Sequence, residues 1–238
     1  MSVHHQILIF TRPLQKIARK IACKLGIVNP HRLRVLLYHD IPVHQEEGLY
    51  KQLILLKRDW NFVTPLQFEK MILGEIPIVG NNLLITFDDG MLSNLAVAEK
   101  ILNPLGIKAI FFVIVEFIKI KNHLEARKFA SKYLIPGSSI DNIPEHWRNL
   151  QWDDLASLTK QGHTIGHHTK MHTRLSHCNS RIELEEEIVI SAKEIELNLG
   201  IEVNHFAYTF GDIDSFSKEA LSIAKSQFSF VHSGLRGK

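Results

Sequence analysis

Short apolar runs alternate with stretches of helical hydrophobic spacing along most of the chain. The clearest run covers 83–87 and is followed at once by Asp88, Asp89 and Gly90. Apolar runs of this length, bounded by turn residues, are typical of buried parallel strands. Further strands are predicted at 34–40, 61–64, 108–114, 164–166, 205–211 and 228–231. Helices are predicted at 46–58, 65–73, 93–102, 152–161, 180–199 and 215–227.

This alternation of strands and helices predicts an α/β fold with a parallel sheet, either open or closed into a barrel. Segment 116–149 interrupts the alternation, with Pro136, Gly137 and Pro144 around a short helical pattern. We interpret it as an insertion at the catalytic end of the sheet. Such a segment fits a role in shaping a substrate cleft and equally a purely surface role, so both stay open.

The N-terminal segment has a different charge pattern. Apolar residues follow helical spacing over 14–25, the opposite face is basic, and the first 34 residues contain no Asp or Glu. A basic amphipathic helix of this kind suits contact with an anionic membrane surface, and it also suits packing on the domain with a solvated basic face. We therefore divide the chain into this segment, 1–32, and a catalytic domain, 33–238.

The composition and net charge of the chain limit the kinds of function that we consider. The chain has 238 residues, of which 45% are hydrophobic, enough for a sizeable core, and its net charge of +3 does not favour nucleic-acid binding. Cys23 and Cys178 are far apart, which fits a reducing compartment. We find neither a signal-peptide core nor a stretch of transmembrane length. We expect a cytoplasmic protein, with peripheral contact at the inner membrane face through the basic helix.

Asp88 and Asp89 follow a predicted strand, at the end where parallel α/β sheets gather ligands and chemistry. Two adjacent carboxylates do not both ionise freely unless a cation or solvent compensates. His168 and His172 are four residues apart and project to one side on a helix or tight turn. With Asp89 they would form a set of three ligands, which is typical of a catalytic zinc site. Asp88 is then free to act as a general base.

At these positions the sequence resembles the polysaccharide deacetylases with a NodB-homology domain, carbohydrate esterase family 4. Residues 86–90 resemble the first motif of that family, 168–172 the second, and 206–211 a variant of the third. Tyr38 and His39 on the first strand, and the strand at 109–113, also fit. The resemblance covers 33–231, and the combination of motifs in this order is specific.

The resemblance implies a distorted (β/α) barrel, which we expect to be incomplete at the C-terminus. It implies metal-dependent removal of acetyl groups from an N-acetylated saccharide, for which we expect a role in cell-envelope glycan metabolism. It also implies roles for individual residues. Asp88 would be the catalytic base, and the backbone N–H of Phe210 would bind the oxyanion. One divalent metal ion, most often Zn²⁺, would be held by Asp89, His168 and His172. We add Tyr208 and His39 as substrate-binding residues.

The sequence departs from the family pattern in three places. Ala207 stands where many members have arginine, Thr209 where proline is usual, and no Leu-x-His motif for the general acid is found near the C-terminus. We expect a longer chain or a partner segment to supply that acid, and we interpret His232 as structural. Two alternatives stay open: a degenerate module that binds metal or saccharide without turnover, and a barrel amidohydrolase acting on a non-sugar amide.

The remaining histidines are weaker candidates for a role in the site. We expect His167 to support a ligand or to pack in the core rather than to bind metal. His163 and His177 flank turns, and we expect both to be solvated.

Overall fold

The computed structural model describes residues 30–235, together with residues 21, 22 and 25. Its seven strands are β1 (Arg32–Tyr38), β2 (Asn61–Phe62), β3 (Asn81–Phe87), β4 (Ala109–Val113), β5 (Thr164–His167), β6 (His205–Ala207) and β7 (Phe230–His232). They form one sheet in the order β1-β3-β4-β5-β6-β7, and β2 pairs with the beginning of β3. Every pairing is parallel, as the alternation of elements predicts.

The helices connect these strands. They are α1 (Val43–Lys57), α2 (Pro65–Ile72), α3 (Ser93–Val97), α4 (Val115–Ile118), α5 (His123–Phe129), α6 (Trp152–Lys160), α7 (Arg181–Glu185), α8 (Ser191–Leu199) and α9 (Lys218–Gln227). Three π turns continue or join them, at Ala98–Leu102, Ala130–Leu134 and Glu186–Ile190. Within the described part of the chain, no helix is both long and apolar enough to cross a membrane.

Local sequence explains where α2 begins. Thr64 accepts a hydrogen bond from the backbone N–H of Gln67, whose side chain bonds back to the backbone N–H of Thr64. Pro65 occupies the first helical position, where its missing N–H costs nothing because that donor would have no helical partner. The start predicted at Pro65 is therefore confirmed.

The bounds of several helices differ from the prediction, and the helix predicted at 93–102 continues from α3 into the π turn Ala98–Leu102. The helix predicted at 180–199 is interrupted by the π turn Glu186–Ile190, which hydrophobic spacing does not reveal. The last helix begins at Lys218 rather than at Ser215, because Ser217 accepts the capping hydrogen bond from the N–H of Ala220. Ser215 instead donates its hydroxyl to the backbone carbonyl of Asp212, inside the preceding turn.

The sheet separates two hydrophobic cores. Its outer face packs against the helices through a large cluster that includes Phe87, Phe111 and Phe206. Its inner face carries a smaller cluster, closed by Phe68 of α2, that includes Phe112 and Ala207. Both faces of the central strands are therefore buried, which explains their unbroken apolar sequences.

The parallel sheet with helices packed on its outer face is the architecture that the predicted distorted (β/α) barrel requires, and the prediction is confirmed. Among the described residues no pairing joins β1 to β7, and the barrel is open between them. This agrees with the expectation of an incomplete barrel. The basic helix predicted at 14–25 lies outside the described residues apart from 21, 22 and 25, and it stays a prediction.

Candidate active site

The carboxyl ends of β3 and β5 bring the two sequence motifs together. Asp88 and Asp89 follow β3 directly, and His168 follows β5 directly. The Oδ1 atom of Asp89 lies 3.7 Å from Nε2 of His168 and 3.5 Å from Nε2 of His172. All three residues are buried, and their candidate ligand atoms lie within 4.8 Å of one another. The three ligands predicted from the sequence therefore meet at one point.

Backbone carbonyls orient both imidazoles. His168 donates its Nδ1–H to the carbonyl oxygen of Ala207, and His172 donates its Nδ1–H to that of Tyr133, both at 2.8 Å. A carbonyl oxygen can only accept, so in each neutral ring the proton is on Nδ1 and the lone pair is on Nε2. Both lone pairs therefore lie on the side of Asp89, an arrangement that is typical of histidines that bind a metal.

Two buried carboxylate oxygens lack partners among the described residues, Oδ1 of Asp88 and Oδ1 of Asp89. An unpaired carboxylate is costly to bury, and a cation would remove that cost. Burial, and secondly the charge of Asp89, raise the pKa of Asp88 well above its usual range. Burial also lowers the pKa of His168 and of His172, which favours the neutral form that binds metals. One carboxylate and two imidazoles in this arrangement fit a divalent cation such as zinc.

The backbone is strained at this site. Four non-glycine residues of the described chain have positive φ: Asp89 (74°), Thr169 (67°), His172 (62°) and Phe210 (62°). Such residues are uncommon because Cβ crowds the neighbouring carbonyl, and they cluster where function requires a fixed geometry. All four lie at the ligand set or beside it, so the surrounding structure holds these loops in place.

Glu187 holds the loop between the two histidines, a role that sequence reasoning missed. Its Oε2 accepts hydrogen bonds from the backbone N–H groups of Lys170 and Met171, both at 3.0 Å. Its Oε1 accepts from the hydroxyl of Thr173 at 2.9 Å. In the sequence Glu187 is one acid in the acidic first half of a predicted helix. Its burial distinguishes it from Glu183 and Glu186, the exposed acids of the same helical stretch.

The ligand set lies on the wall of a cavity of about 650 Å³, a size typical of small-molecule sites. All seven residues predicted for the site line this cavity: His39, Asp88, Asp89, His168, His172, Tyr208 and Phe210. The side chain of His39 is exposed to it. The ring of Tyr208, by contrast, packs against Phe206 and Phe216, with centroid distances of 5.1 and 4.3 Å.

The turn at 208–211 is fixed to the histidine loop. Thr209 is fully buried and donates its hydroxyl to the carbonyl oxygen of Thr173, so a hydrogen bond holds the position where the family usually has proline. The ring of Phe210 contacts His172, with a centroid distance of 4.7 Å, and the guanidinium of Arg174 lies over the same ring. Both contacts place Phe210 at the edge of the ligand set.

Segment 116–149 contributes part of the cavity wall, including Leu134, Pro144 and Trp147. Asp40, which follows β1, connects this segment to the sheet. Its Oδ2 accepts hydrogen bonds from Nε1 of Trp147 at 3.0 Å and from Nε2 of His146 at 2.7 Å. These contacts hold the segment against the mouth of the cavity.

Two further histidines lie on other parts of the fold. His167 is fully buried on the outer face, where its Nε2 donates to the hydroxyl of Ser191 at 2.8 Å, and the predicted packing role is confirmed. The prediction that His163 is solvated is wrong. It is buried at the beginning of β5 and accepts a hydrogen bond from the backbone N–H of Ala109. Burial, followed by the charge of Lys108, lowers its pKa to about 4.

Comparison of the fold with solved structures gives several matches. IcaB from Ammonifex degensii has a TM-score of 0.67 at 22% identity, with 87% of this chain and 92% of that chain covered. The deacetylase domain of BpsB from Bordetella bronchiseptica has a TM-score of 0.65 at 16% identity, with 88% and 92% covered. The deacetylase PplD from Streptococcus pyogenes, solved with acetate, has a TM-score of 0.63 at 19% identity, with 84% and 83% covered.

No curated protein matches the chain in sequence. The family model described as polysaccharide deacetylase does match, over residues 79–227. That range is more than half of the chain and contains both motifs that supply the ligand set, as well as the turn at 208–211. The chain belongs to the polysaccharide deacetylase family.

Proposed function

We propose that this protein is a metal-dependent hydrolase that removes N-acetyl groups from an N-acetylated saccharide. Family membership supports a deacetylase acting on carbohydrate. The observation that carries the finer proposal is the convergence of Asp89, His168 and His172 beside the buried carboxyl of Asp88. A ligand set of this kind next to an available base is typical of metal-assisted hydrolysis.

We assign Asp89, His168 and His172 to hold the ion, most simply zinc. The ion would supply Lewis-acid polarisation of the acetyl carbonyl and would lower the pKa of a water molecule. The donor set fits this assignment because an unpaired buried Oδ1 atom of Asp89 faces the Nε2 lone pairs of two neutral imidazoles.

Asp88 acts as the general base in this proposal. Its carboxylate, whose Oδ1 atom has no hydrogen-bond partner among the described residues, is placed to take a proton from water. Oδ2 of Asp88 lies 3.9 Å from Nε2 of His168, so base and ligands share one side of the cavity. The backbone N–H of Phe210 has no acceptor among the described residues and is available to bind the developing oxyanion. Donors of this kind typically contribute about 3 kcal/mol.

For the substrate we propose a saccharide of cell-envelope glycan metabolism. The cavity is open and large enough for a sugar unit, and Trp147 gives its wall an aromatic side chain of the kind that packs on sugar rings. The hydrogen bond from Trp147 to Asp40 fixes the orientation of the indole.

We also propose that residues 14–25 bring the enzyme to the cytoplasmic side of a membrane through their basic face. The support for this is the charge pattern of the sequence, in which Lys16, Arg19, Lys20 and Lys24 share a helical face without an acid nearby.

The test combines metal analysis with acetate release from a panel of N-acetylated oligosaccharides. We expect about one divalent ion per chain, and acetate release that a chelator stops and added zinc restores. Asp89→Asn should lose both metal and activity, whereas Asp141→Asn, in an exposed turn, should lose neither. A metal-free wild-type protein would contradict the ligand assignment. Full metal content without acetate release would instead support the non-catalytic binding module.

A further inference from the structure

Two apolar side chains on the inner face of β1 are left uncovered. Leu36 and Tyr38 of β1 pack against the core on the outer face of the sheet. Side chains alternate along a strand, so Leu33, Val35 and Leu37 point to the inner face. Leu33 packs against the inner cluster, whereas Val35 and Leu37 are 43% and 42% exposed. The apolar filling of the barrel therefore ends at Leu33 on this strand.

The two uncovered side chains line the cavity that holds the ligand set. Leu37 and Val35 precede His39 by two and four residues, which places them about 7 and 13 Å further into the barrel along β1. We call this part of the cavity the inner pocket. It is lined by Val35, Leu37, Thr86, Phe112 and Ala207.

Phe112 forms the far wall of the inner pocket without filling it. Its ring leans towards β5 and β7, since a Cβ atom on Gly166 of β5 would lie 2.5 Å from it and its centroid is 5.1 Å from the ring of His232 on β7. Ala207, on the strand between them, carries only a methyl group. The space in front of Leu37 and Thr86 therefore stays open.

The chemistry of the inner pocket suits an apolar group. The charged side chains that line the whole cavity are Asp40, Asp88 and Asp89, and all three lie beyond the ends of β1 and β3. A sugar hydroxyl placed against Val35 and Leu37 would lose water without gaining a hydrogen bond, which is costly. An aliphatic chain in the same place would gain free energy from its burial.

The proposed reaction identifies which apolar group this is. The carbonyl carbon of the amide must lie beside the ligand set, and it carries two substituents, the nitrogen of the sugar and the acyl chain. The sugar is bulky and polar, so it fits the open mouth of the cavity, where Asp40 fixes Trp147. The acyl chain is then the substituent that extends from the ligand set into the barrel, towards Leu37.

We propose that the inner pocket binds the acyl group of the substrate and accepts aliphatic acyl chains longer than acetyl. This inference rests on the proposed hydrolase activity, and it extends the substrate class from N-acetyl to longer N-acyl saccharides. An acetyl group has a single carbon beyond the carbonyl and leaves Val35 uncovered. A longer chain covers first Leu37 and then Val35, and it displaces water from both.

The test compares oligosaccharides of the same length that carry N-acetyl, N-butanoyl or N-hexanoyl groups. Release of the free amine is measured, because it is the product common to all three. We expect kcat/KM to rise by up to about fourfold per added methylene, the equivalent of about 0.8 kcal/mol of burial. Most of this rise should be a lower KM, since the chain contacts the pocket in the substrate and in the transition state alike.

Val35→Phe fills the deep end of the inner pocket and should lower the hexanoyl-to-acetyl ratio of kcat/KM towards one. Val79→Phe is the matched control, because Val79 is also exposed but lies outside the cavity, and its ratio should equal that of wild type. If Val35→Phe fails to fold, Val35→Thr replaces it. Threonine keeps the volume of valine and adds a hydroxyl, so the ratio should again decrease.

A kcat/KM that stays level or falls from acetyl to hexanoyl in wild type would overturn the inference, and so would equal ratios in wild type and in the Val35 variant. Alkyl glycosides of N-acetylglucosamine test the other apolar occupant. If kcat/KM rises with the length of the glycoside and Val35→Phe removes that rise, the pocket binds an aglycone and the inference is wrong. Failure to release amine from any of these substrates would instead refute the proposed hydrolase activity itself.

Discussion

The backbone carbonyl of Tyr133 accepts a hydrogen bond from Nδ1 of His172 at 2.8 Å. Tyr133 belongs to the π turn that ends α5, within 116–149, whereas His172 belongs to the loop after β5. One proposed metal ligand is thus oriented by the segment that also walls the cavity. Through this bond, the shape of the cavity and the geometry of the ligand set depend on each other.

The ligand assignment predicts how metal content responds to mutation. His168→Ala should remove bound metal and acetate release while the fold persists, because His168 supplies one of three donors and the helices pack on the opposite face of the sheet. Metal analysis and circular dichroism check both parts. His177→Ala, in the exposed turn after the loop, serves as the control. Full metal content in His168→Ala would refute the assignment.

Asp88 and Asp89 should differ in their effects. Asp88→Asn should keep the metal but reduce acetate release by about 10²- to 10⁴-fold, because an amide cannot accept the proton of water. Asp89→Asn should lose the metal as well. Titration with zinc, followed by an acetate assay at saturating metal, separates the two outcomes. Equal metal loss in the two variants would show that their roles are divided differently.

Glu187 should control metal affinity without touching the metal. Glu187→Gln replaces one acceptor oxygen by an NH₂ group that cannot accept the hydrogen bonds from the loop, so the positions of His168 and His172 become less defined. Losses of about 10- to 100-fold in affinity are typical when such supporting residues change.

A competition titration with a zinc chelator measures this effect of Glu187. Glu186→Gln is the matched control, because Glu186 forms only a surface ion pair with Lys170. The same affinity loss in both variants would contradict a specific role for Glu187.

The titration of His163 should account for part of the pH dependence of the free energy of unfolding. Its Nδ1 accepts from the N–H of Ala109 and its Nε2 faces Oδ1 of Asn103, so protonation destroys the first hydrogen bond. Because its pKa falls from 6.5 to about 4, the unfolded chain binds more protons between these values. The free energy of unfolding therefore decreases as pH falls from 6.5 to about 4. Below about 4 the protonation of His163 lowers it no further.

His163→Gln keeps a donor and an acceptor but does not titrate. Urea unfolding between pH 7 and pH 4 should show a slope smaller by up to about 1.4 kcal/mol per pH unit than in wild type. An identical slope in the two proteins would refute this contribution.

The N-terminal prediction concerns residues outside the described part of the chain. If residues 14–25 bind an anionic surface, sedimentation with acidic vesicles should weaken as salt rises and disappear on deletion of residues 1–28. Vesicles of neutral lipid are the control. If the full chain fails to bind acidic vesicles even at low salt, packing on the domain is the remaining role for this helix.

The sequence by itself determined the α/β class, the parallel sheet and the three proposed ligands. Apolar runs such as 83–87 identify strands because both faces of a central parallel strand are buried. Asp89, His168 and His172 could be predicted because adjacent acids and a four-residue histidine spacing stand at strand ends, and because they resemble family motifs.

Only the tertiary structure decided which distant residues contact one another. Glu187 looks like any acid of a surface helix, but its side chain is buried and bonds to the loop at 170–173. His163 looked solvated beside a turn and is buried. Glu69, His205 and His232 are distant in sequence and meet because β6 pairs with β7 and α2 crosses the inner face. Hydrogen bonds between distant segments leave no periodic pattern in a chain, so a single sequence does not reveal them.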